Sequence, residues 1–376
     1  VEQDISELLA DILEVCVDLD GGGIDRYLYN YCTRISDIQF DFAAVENKDG
    51  MLEKPLRNHG CNIYHVPRIT KGVISNFKAL RNILSAHSYD AVHVHLGHFS
   101  CLALLCALVC GVKVRVVHAH IAFVPETMAQ RMVRRILTPI TKMLATDLAA
   151  CGVDAAKWVW GNTTYNKGQV IVHNNAIKTD IYKFNNAERI RVREEFGLAN
   201  NQILVGHVGR ISDQKNQLRL VNIFKAILNK KPNSVLIIVG FFDESYGLRE
   251  EIKRLGIQNN VRLLGVRDDI PSILNAMDVF VFPSKYEGLP FTLIETQCNG
   301  LPCVSADTVS SLVKVSHAVE FLSLADSDEK WDAKAIELSN APHDAYCQQD
   351  IIKDGYDLDT EAQKLHNYYI ERIKRC

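Results

Sequence analysis

Two glutamates, Glu287 and Glu295, stand either side of a Gly-Leu-Pro turn in FVFPSKYEGLPFTLIETQCNGLPCVSAD, residues 280–307. The apolar run before the turn predicts a buried strand ended by Pro283. The run after it predicts a helix from Pro290 to about Asn299. Proline suits the first helical position, where its missing N–H costs nothing, and Gly300 suits the C′ position, where φ is often positive. First-turn N–H groups, from about Phe291 and Thr292, then point outward as a phosphate site. Phosphate repels carboxylate, so each glutamate is better suited to hold hydroxyls. Two hydroxyl-binding acids around a phosphate cradle fit a diphosphate with a sugar at each end, a nucleotide sugar. The same acids also read as solvated residues at a helix start, where acids are favoured.

The cations for such a ligand lie upstream. GHVGRISDQKNQ follows a strand with Gly206 and Gly209, then offers Arg210 and Lys215 in a loop. A diphosphate needs two or more cations, and arginine's planar fork binds phosphate oxygens bidentately. A third loop, DLDGGGIDRYLYN, sets Gly21, Gly22 and Gly23 between a strand and a helix. Glycines there let the backbone approach a phosphate or sugar. The G-x-G-x-x-G spacing of a dinucleotide fingerprint is missing.

These loops need a scaffold that repeats strand, loop and helix. Short β-branched runs alternate with helical patterns along the whole chain, which indicates parallel α/β sheets. One series runs from ILEVCVD (12–18) to QVIVHNN (169–175), and a second from QILVGHVG (202–209) to AVEFLS (318–323). Two doubly wound domains are expected, 1–180 and 181–357, with sites at the carboxyl ends of their strands. The last helix, about 358–376, has no strand after it and is expected to pack back on the first domain.

Composition narrows the partners. The chain has 376 residues, 47% hydrophobic and 23% charged, with a net charge of -3. That is ordinary globular composition, and no basic field argues for nucleic acid. The first residues are acidic where a secretory signal would be basic. Eleven cysteines, with no C-x-x-C pair, read as reduced thiols of a cytosolic protein. The longest apolar run, 99–112, falls short of the roughly 20 residues that span a bilayer.

Together these segments resemble the retaining GT-B glycosyltransferases that build capsular, exopolysaccharide and lipopolysaccharide sugars. The resemblance covers nearly the whole chain and is densest over 202–307. Its most specific element is E-x7-E, Glu287 to Glu295. GHVGRISDQKN looks like the donor-diphosphate loop, and NNVRLLGVRDDIPSILNAMDVFVFPS like the segment from nucleobase pocket to signature. The resemblance implies two Rossmann-like domains with a cleft between them, the donor on the second and the acceptor on the first. Arg210 and Lys215 would neutralise the leaving diphosphate, and Glu295 would hold the ribose. Glu287 would face the transferred sugar beside Gly288, Leu289 and Pro290. Backbone at Gly265 and Val266 would touch the base, His118 the sugar, and Gly22 and Gly23 the acceptor side. The implied reaction moves a hexose from a nucleotide sugar, UDP-linked, to a glycan or lipid-linked acceptor, with retention, no metal and no cofactor. One departure is VGFFDESYG, where such enzymes have a Gly-Asp-Gly-like turn.

Three other readings compete. His93, His95 and His98 form H-x-H-x-x-H at a strand end, with His118 and His120 on the next strand, and neutral imidazoles so placed suit a zinc hydrolase. No acid accompanies the triplet in the sequence, and His93 and His95 also read as satisfied core or cleft histidines. Asp18 and Asp20 form D-x-D, a metal–diphosphate motif elsewhere, yet here they read better as turn acids. An inactive nucleotide-sugar-binding homologue is the third. Finally, ETMAQRMVRRILTPITKMLATD predicts a helix with Met128, Met132, Ile136, Ile140 and Met143 beside Arg131, Arg134, Arg135 and Lys142. It suits either a core-facing helix or peripheral contact with the anionic inner leaflet.

Overall fold

The computed structural model describes residues 9–20, 22–45, 50–120, 127–199, 201–242, 244–287 and 289–376, with backbone alone at His98 and Glu244. The chain forms two compact units, Val1–Ala176 with Leu358–Cys376, and Ile177–Asp357.

The first unit is built on seven strands: β1 (Ala10–Cys16), β2 (Ile38–Ala44), β3 (Ile63–His65), β4 (Ala91–Val94), β5 (Val114–Ala119), β6 (Asp147–Ala150) and β7 (Val170–Val172). They lie in the order β3-β2-β1-β4-β5-β6-β7, and every pairing is parallel. Strand alternation sorts the side chains. Leu13, Val15, Val92, Val94, Val117 and Ala119 share one apolar face, packed on the helices Val73–Ala86 and Ser100–Val109. Glu14, His93 and His118 take the opposite face, which the helices Gly23–Cys32 and Leu358–Lys374 cover. Arg372 to Asp147 at 2.9 Å and His366 to Asp37 at 2.9 Å tie the C-terminal helix to this sheet. β7 is shorter than its apolar run suggested, because Asn174 leaves the ladder and its carbonyl accepts from the Tyr31 hydroxyl at 2.5 Å.

The second unit has six parallel strands: β8 (Leu204–Val208), β9 (Val235–Val239), β10 (Val261–Gly265), β11 (Val279–Phe282), β12 (Cys303–Ala306) and β13 (Val319–Leu322). Their order is β10-β9-β8-β11-β12-β13. Val205, Leu236, Ile238, Val279 and Val304 pack on Leu220, Phe224 and Ile227 of the helix Gln217–Lys230, and on Trp331. Burial on both faces of β8, β9, β11 and β12 explains why these strands read as nearly continuous apolar runs.

Each sheet reverses its winding once, between β1 and β4 in the first and between β8 and β11 in the second. Such switch points open a crevice at the carboxyl ends of the strands. All eleven cysteines are free thiols. No helix among the described residues is long and apolar enough to cross a membrane.

Candidate active site

At the switch point of the second unit, the loops after β8 and β11 are laced together. Lys285 N donates to Gln214 O at 2.8 Å, Gln214 Nε2 to Tyr286 O at 3.1 Å, and Asn216 Nδ2 to Pro283 O at 3.0 Å. Asn216 takes the left-handed conformation, φ 58° and ψ 42°, which asparagine tolerates. Gln214 and Asn216 were not singled out from the sequence. The signal available was an Asn before a helical pattern in a loop already marked by glycines.

This lacing sets Lys215 against Glu287. Lys215 Nζ lies 2.6 Å from Glu287 Oε1 and 4.8 Å above the centroid of the Phe282 ring. Its stem crosses Gly209, where an added Cβ would stand 3.4 Å from Lys215 Cδ. Both charges are shielded, with 17% and 9% of their side chains exposed. Arg210 is exposed and lines a pocket of about 420 Å³ with Asp213, Phe241, Ser245 and Tyr246. Lys215 and Glu287 do not line that pocket.

The helix after the turn runs Phe291–Cys298, one residue later than expected. Pro290 is its N-cap, with extended φ -71° and ψ 123°, so proline closes the loop instead of opening the helix. Gly300 has φ 68°, the left-handed value expected beyond a C-cap. Gly288 lies outside the described residues. Leu289 is half-buried ahead of the helix. Glu295 is 1% exposed, and its Oε1 accepts from the Tyr182 hydroxyl at 2.7 Å. Tyr182, a partner the sequence did not suggest, comes from the short helix Thr179–Tyr182.

Close backbone approaches join the neighbouring loops. Gly240 N donates to Gly265 O at 2.8 Å, and Gly209 N to Val239 O at 2.8 Å. Gly240 has φ 148°, and a Cβ there would stand 2.2 Å from Gly209 O. Gly265 has φ 68°, and Val266 beyond it is half exposed. Below the site, His207 is wholly buried. Its Nδ1 donates to Val281 O at 2.9 Å, and burial pushes its pKa down to about 4.

The first unit places its expected residues differently. Gly22 caps the helix Gly23–Cys32, but the Asp25 carboxylate of that helix accepts from Gly22 N at 2.8 Å. The loop's own acid therefore occupies the helix start. His118 is 1% exposed; the Tyr27 ring meets it edge-on at 4.9 Å and His120 stacks on it at 4.1 Å. Both ring nitrogens of His118 are buried, with no hydrogen-bond partner among the described residues. Glu14 of β1, which sequence reasoning missed, supplies the acid that the histidine triplet lacked. Its Oε2 lies 2.7 Å from His95 Nε2, and its Oε1 accepts from the Tyr369 hydroxyl at 3.3 Å. A lone acid in an apolar strand carries no local signal of what it meets across the sheet.

The profile of glycosyl transferases group 1 matches residues 188–354. The protein is a glycosyltransferase. The putative glycosyltransferase EpsF of Bacillus subtilis (strain 168) is 27% identical over 370 residues, 95% of this chain and 96% of that protein. The UDP-Gal:alpha-D-GlcNAc-diphosphoundecaprenol alpha-1,3-galactosyltransferase of Escherichia coli is 27% identical over 373 residues, 93% of this chain and 94% of its own. Among solved structures, Anabaena Alr3699/HepE in complex with UDP-glucose superposes with a TM-score of 0.77 at 20% identity, over 96% of this chain and 99% of that one. TarM superposes with a TM-score of 0.72 at 12% identity, over 96% of this chain and 98% of that one. The glycosyltransferase has the GT-B fold, two Rossmann-like sheets with flanking helices.

Proposed function

We propose that the glycosyltransferase moves a hexose from a UDP-linked donor to a glycan or lipid-linked acceptor in bacterial surface polysaccharide synthesis, with retention and without a metal. The observation that carries this reading is the Lys215–Glu287 pair, held at a switch point directly ahead of a helix start. An ammonium and a carboxylate in contact are ready to be exchanged. The donor's diphosphate takes Lys215, and Glu287 is released to sugar hydroxyls. Arg210 supplies the second cation, Glu295 the ribose contact, and Gly265 and Val266 the backbone beside the base.

In the transfer, the bond between the anomeric carbon and the diphosphate oxygen breaks, and the electron pair leaves with the diphosphate. The acceptor oxygen forms the new bond, and its proton passes to the departing phosphate. Lys215, Arg210 and the first-turn N–H groups stabilise the growing charge. The UDP-glucose bound by HepE supports a UDP-linked donor, and the name of the E. coli relative supports a lipid-diphosphate acceptor. Retention rests on the family resemblance.

Peripheral contact with the anionic leaflet belongs to the same reading. The helix Met128–Leu144 exposes Met128 at 74% and Met143 at 76%, with Met132 and Ile136 between them and Arg131 and Arg135 alongside. Lys142, counted with the basic side from the sequence, instead donates to Trp160 O and to Thr164 Oγ1. Co-sedimentation with phosphatidylglycerol vesicles at low salt is expected, and its absence removes this part.

A thermal-shift panel of nucleotides and nucleotide sugars tests the donor. UDP-sugars should raise the melting temperature, and calorimetry should show weaker binding in Lys215→Ala and Glu295→Ala. Unchanged affinity in both variants ends the site assignment.

A further inference from the structure

The buried histidine layer of the first unit is more than packing. His93, His95 and His118 have donor atoms within 4.8 Å of one another, a spacing that suggests a metal. His95 argues against one. Its Nε2 meets Glu14 Oε2 at 2.7 Å and its Nδ1 meets His120 Nε2 at 2.7 Å, so both ring nitrogens are engaged. The three groups form a single file, Glu14 to His95 to His120, from β1 through the residue after β4 to the residue after β5.

Direction along this file follows from chemistry. Above about pH 7 the Glu14 carboxyl is ionised and can only accept, so His95 then carries its proton on Nε2. A neutral imidazole then has a lone pair on Nδ1, which can only accept from His120 Nε2–H. His120 is left with a lone pair on Nδ1. We infer that Glu14 and His95 are positioning residues, which hold His120 as the tautomer whose Nδ1 accepts a hydrogen bond from a sugar hydroxyl.

Four further observations support this. His120 is half-buried directly after β5, at the carboxyl edge of the sheet where ligands of such folds bind. Its ring plane is held by stacking on His118 at 4.1 Å and by the Tyr27 edge at 5.2 Å. The Glu14 carboxylate is steadied by the Tyr369 hydroxyl, which in turn accepts from His93 Nδ1 at 2.6 Å. Burial holds the His95 and His120 rings well below the usual histidine pKa, so both stay neutral as the file requires.

The identity of the hydroxyl rests on the glycosyl-transfer reading; the file itself does not. The test is therefore a ¹⁵N-imidazole spectrum of the ligand-free protein, recorded well above pH 7 where Glu14 is ionised, with His120 assigned by comparison with His120→Gln. A pyridine-type Nδ1 on His120 is expected in the wild type and a tautomer mixture in Glu14→Leu. His95→Gln should retain the wild-type form, because its amide donates to Glu14 and its carbonyl accepts from His120. His95→Leu should lose it. A mixture, or an Nδ1–H form, in the wild type overturns the file. UDP-glucose and methyl glucosides or galactosides are then titrated in turn. A shift of His120 Nδ1 with UDP-glucose places the hydroxyl on the donor, and a shift with a methyl glycoside places it on the acceptor. If the protein binds UDP-glucose and neither probe moves His120, the sugar assignment is overturned. A thermal-shift panel with no nucleotide-sugar response would instead sink the glycosyl-transfer reading and leave the file standing.

Discussion

The two switch points have the same topology and opposite chemistry. In the first unit, Glu14 and His93 face each other across β1 and β4 and are almost fully buried. Burial pushes the Glu14 carboxyl up to about 7, against the pull of His93 and the Tyr369 hydroxyl. The same burial holds the neighbouring imidazoles neutral. In the second unit, Lys215 and Glu287 keep some solvent and stand as an ion pair. A charge taken fully out of water is expensive, so a dry switch point favours neutral imidazoles joined by directional hydrogen bonds. A partly wet one tolerates full charges that a charged ligand can exchange. In the proposed reading, one fold thus yields a place suited to orienting a hydroxyl and a place suited to receiving a diphosphate.

The largest effect expected from this contrast is in stability against pH. In the first unit, His95 has its pKa lowered to about 3 and His173 to about 4. Unfolding returns each to an ordinary value, so the unfolded chain binds protons that the folded chain refuses. Their contribution is complete above pH 6.5 and is lost as pH falls towards 4. Each such histidine removes about 1.4 kcal/mol per pH unit in that window. Glu14 works in the opposite sense. Its raised pKa helps the fold at low pH, and that help is lost as pH rises through about 7. Histidines outnumber it, so the urea midpoint should fall steeply between pH 6.5 and 4. A flat profile would show that the first switch point is wet like the second.

Gly240→Ala comes next. Its Cβ would collide with Gly209 O at 2.2 Å, in a backbone conformation that suits glycine alone. About 1–3 kcal/mol of stability should be lost, and nucleotide-sugar binding should weaken with it, because the loop carrying Lys215 must shift. Retained stability and affinity would mean that the loops after β8 and β9 are not mutually fixed.

Tyr369→Phe should cost about 1–3 kcal/mol, since it strips a buried hydroxyl from both Glu14 and His93. Affinity for UDP alone, which the proposed reading assigns to the second unit, should not move. Chemical denaturation and calorimetry separate the two, and a fall in UDP affinity would break the division of labour. Smallest of all is the effect of EDTA, which should leave turnover unchanged if cations of the chain, with no metal, meet the diphosphate. Loss of activity restored by Mg²⁺ or Mn²⁺ would refute that.

Much of the scaffold was legible. Continuous apolar runs separated by amphipathic helices signalled parallel sheets, because strands covered on both faces need no polar alternation. One glycine position was legible too: Gly300 has the positive φ expected beyond a helix end. The partners were not. Nothing near Glu287 in the chain says that it will meet Lys215, nor near Glu295 that Tyr182 will reach it. Pro290 was expected inside the helix and stands at its cap, because local preference permits both positions and the closing loop chooses.

By itself, then, the sequence determined the elements and their order along the chain, since those depend on periodicity and backbone preference within a few residues. Tertiary structure alone decided which polar groups share a site. Glu14 meets His95, 81 positions away, and Lys215 meets Glu287 only because strand order brings distant loops to one edge. Whether such a meeting stays neutral or charged is set by how much water the surrounding helices exclude, a property that no short stretch of residues carries.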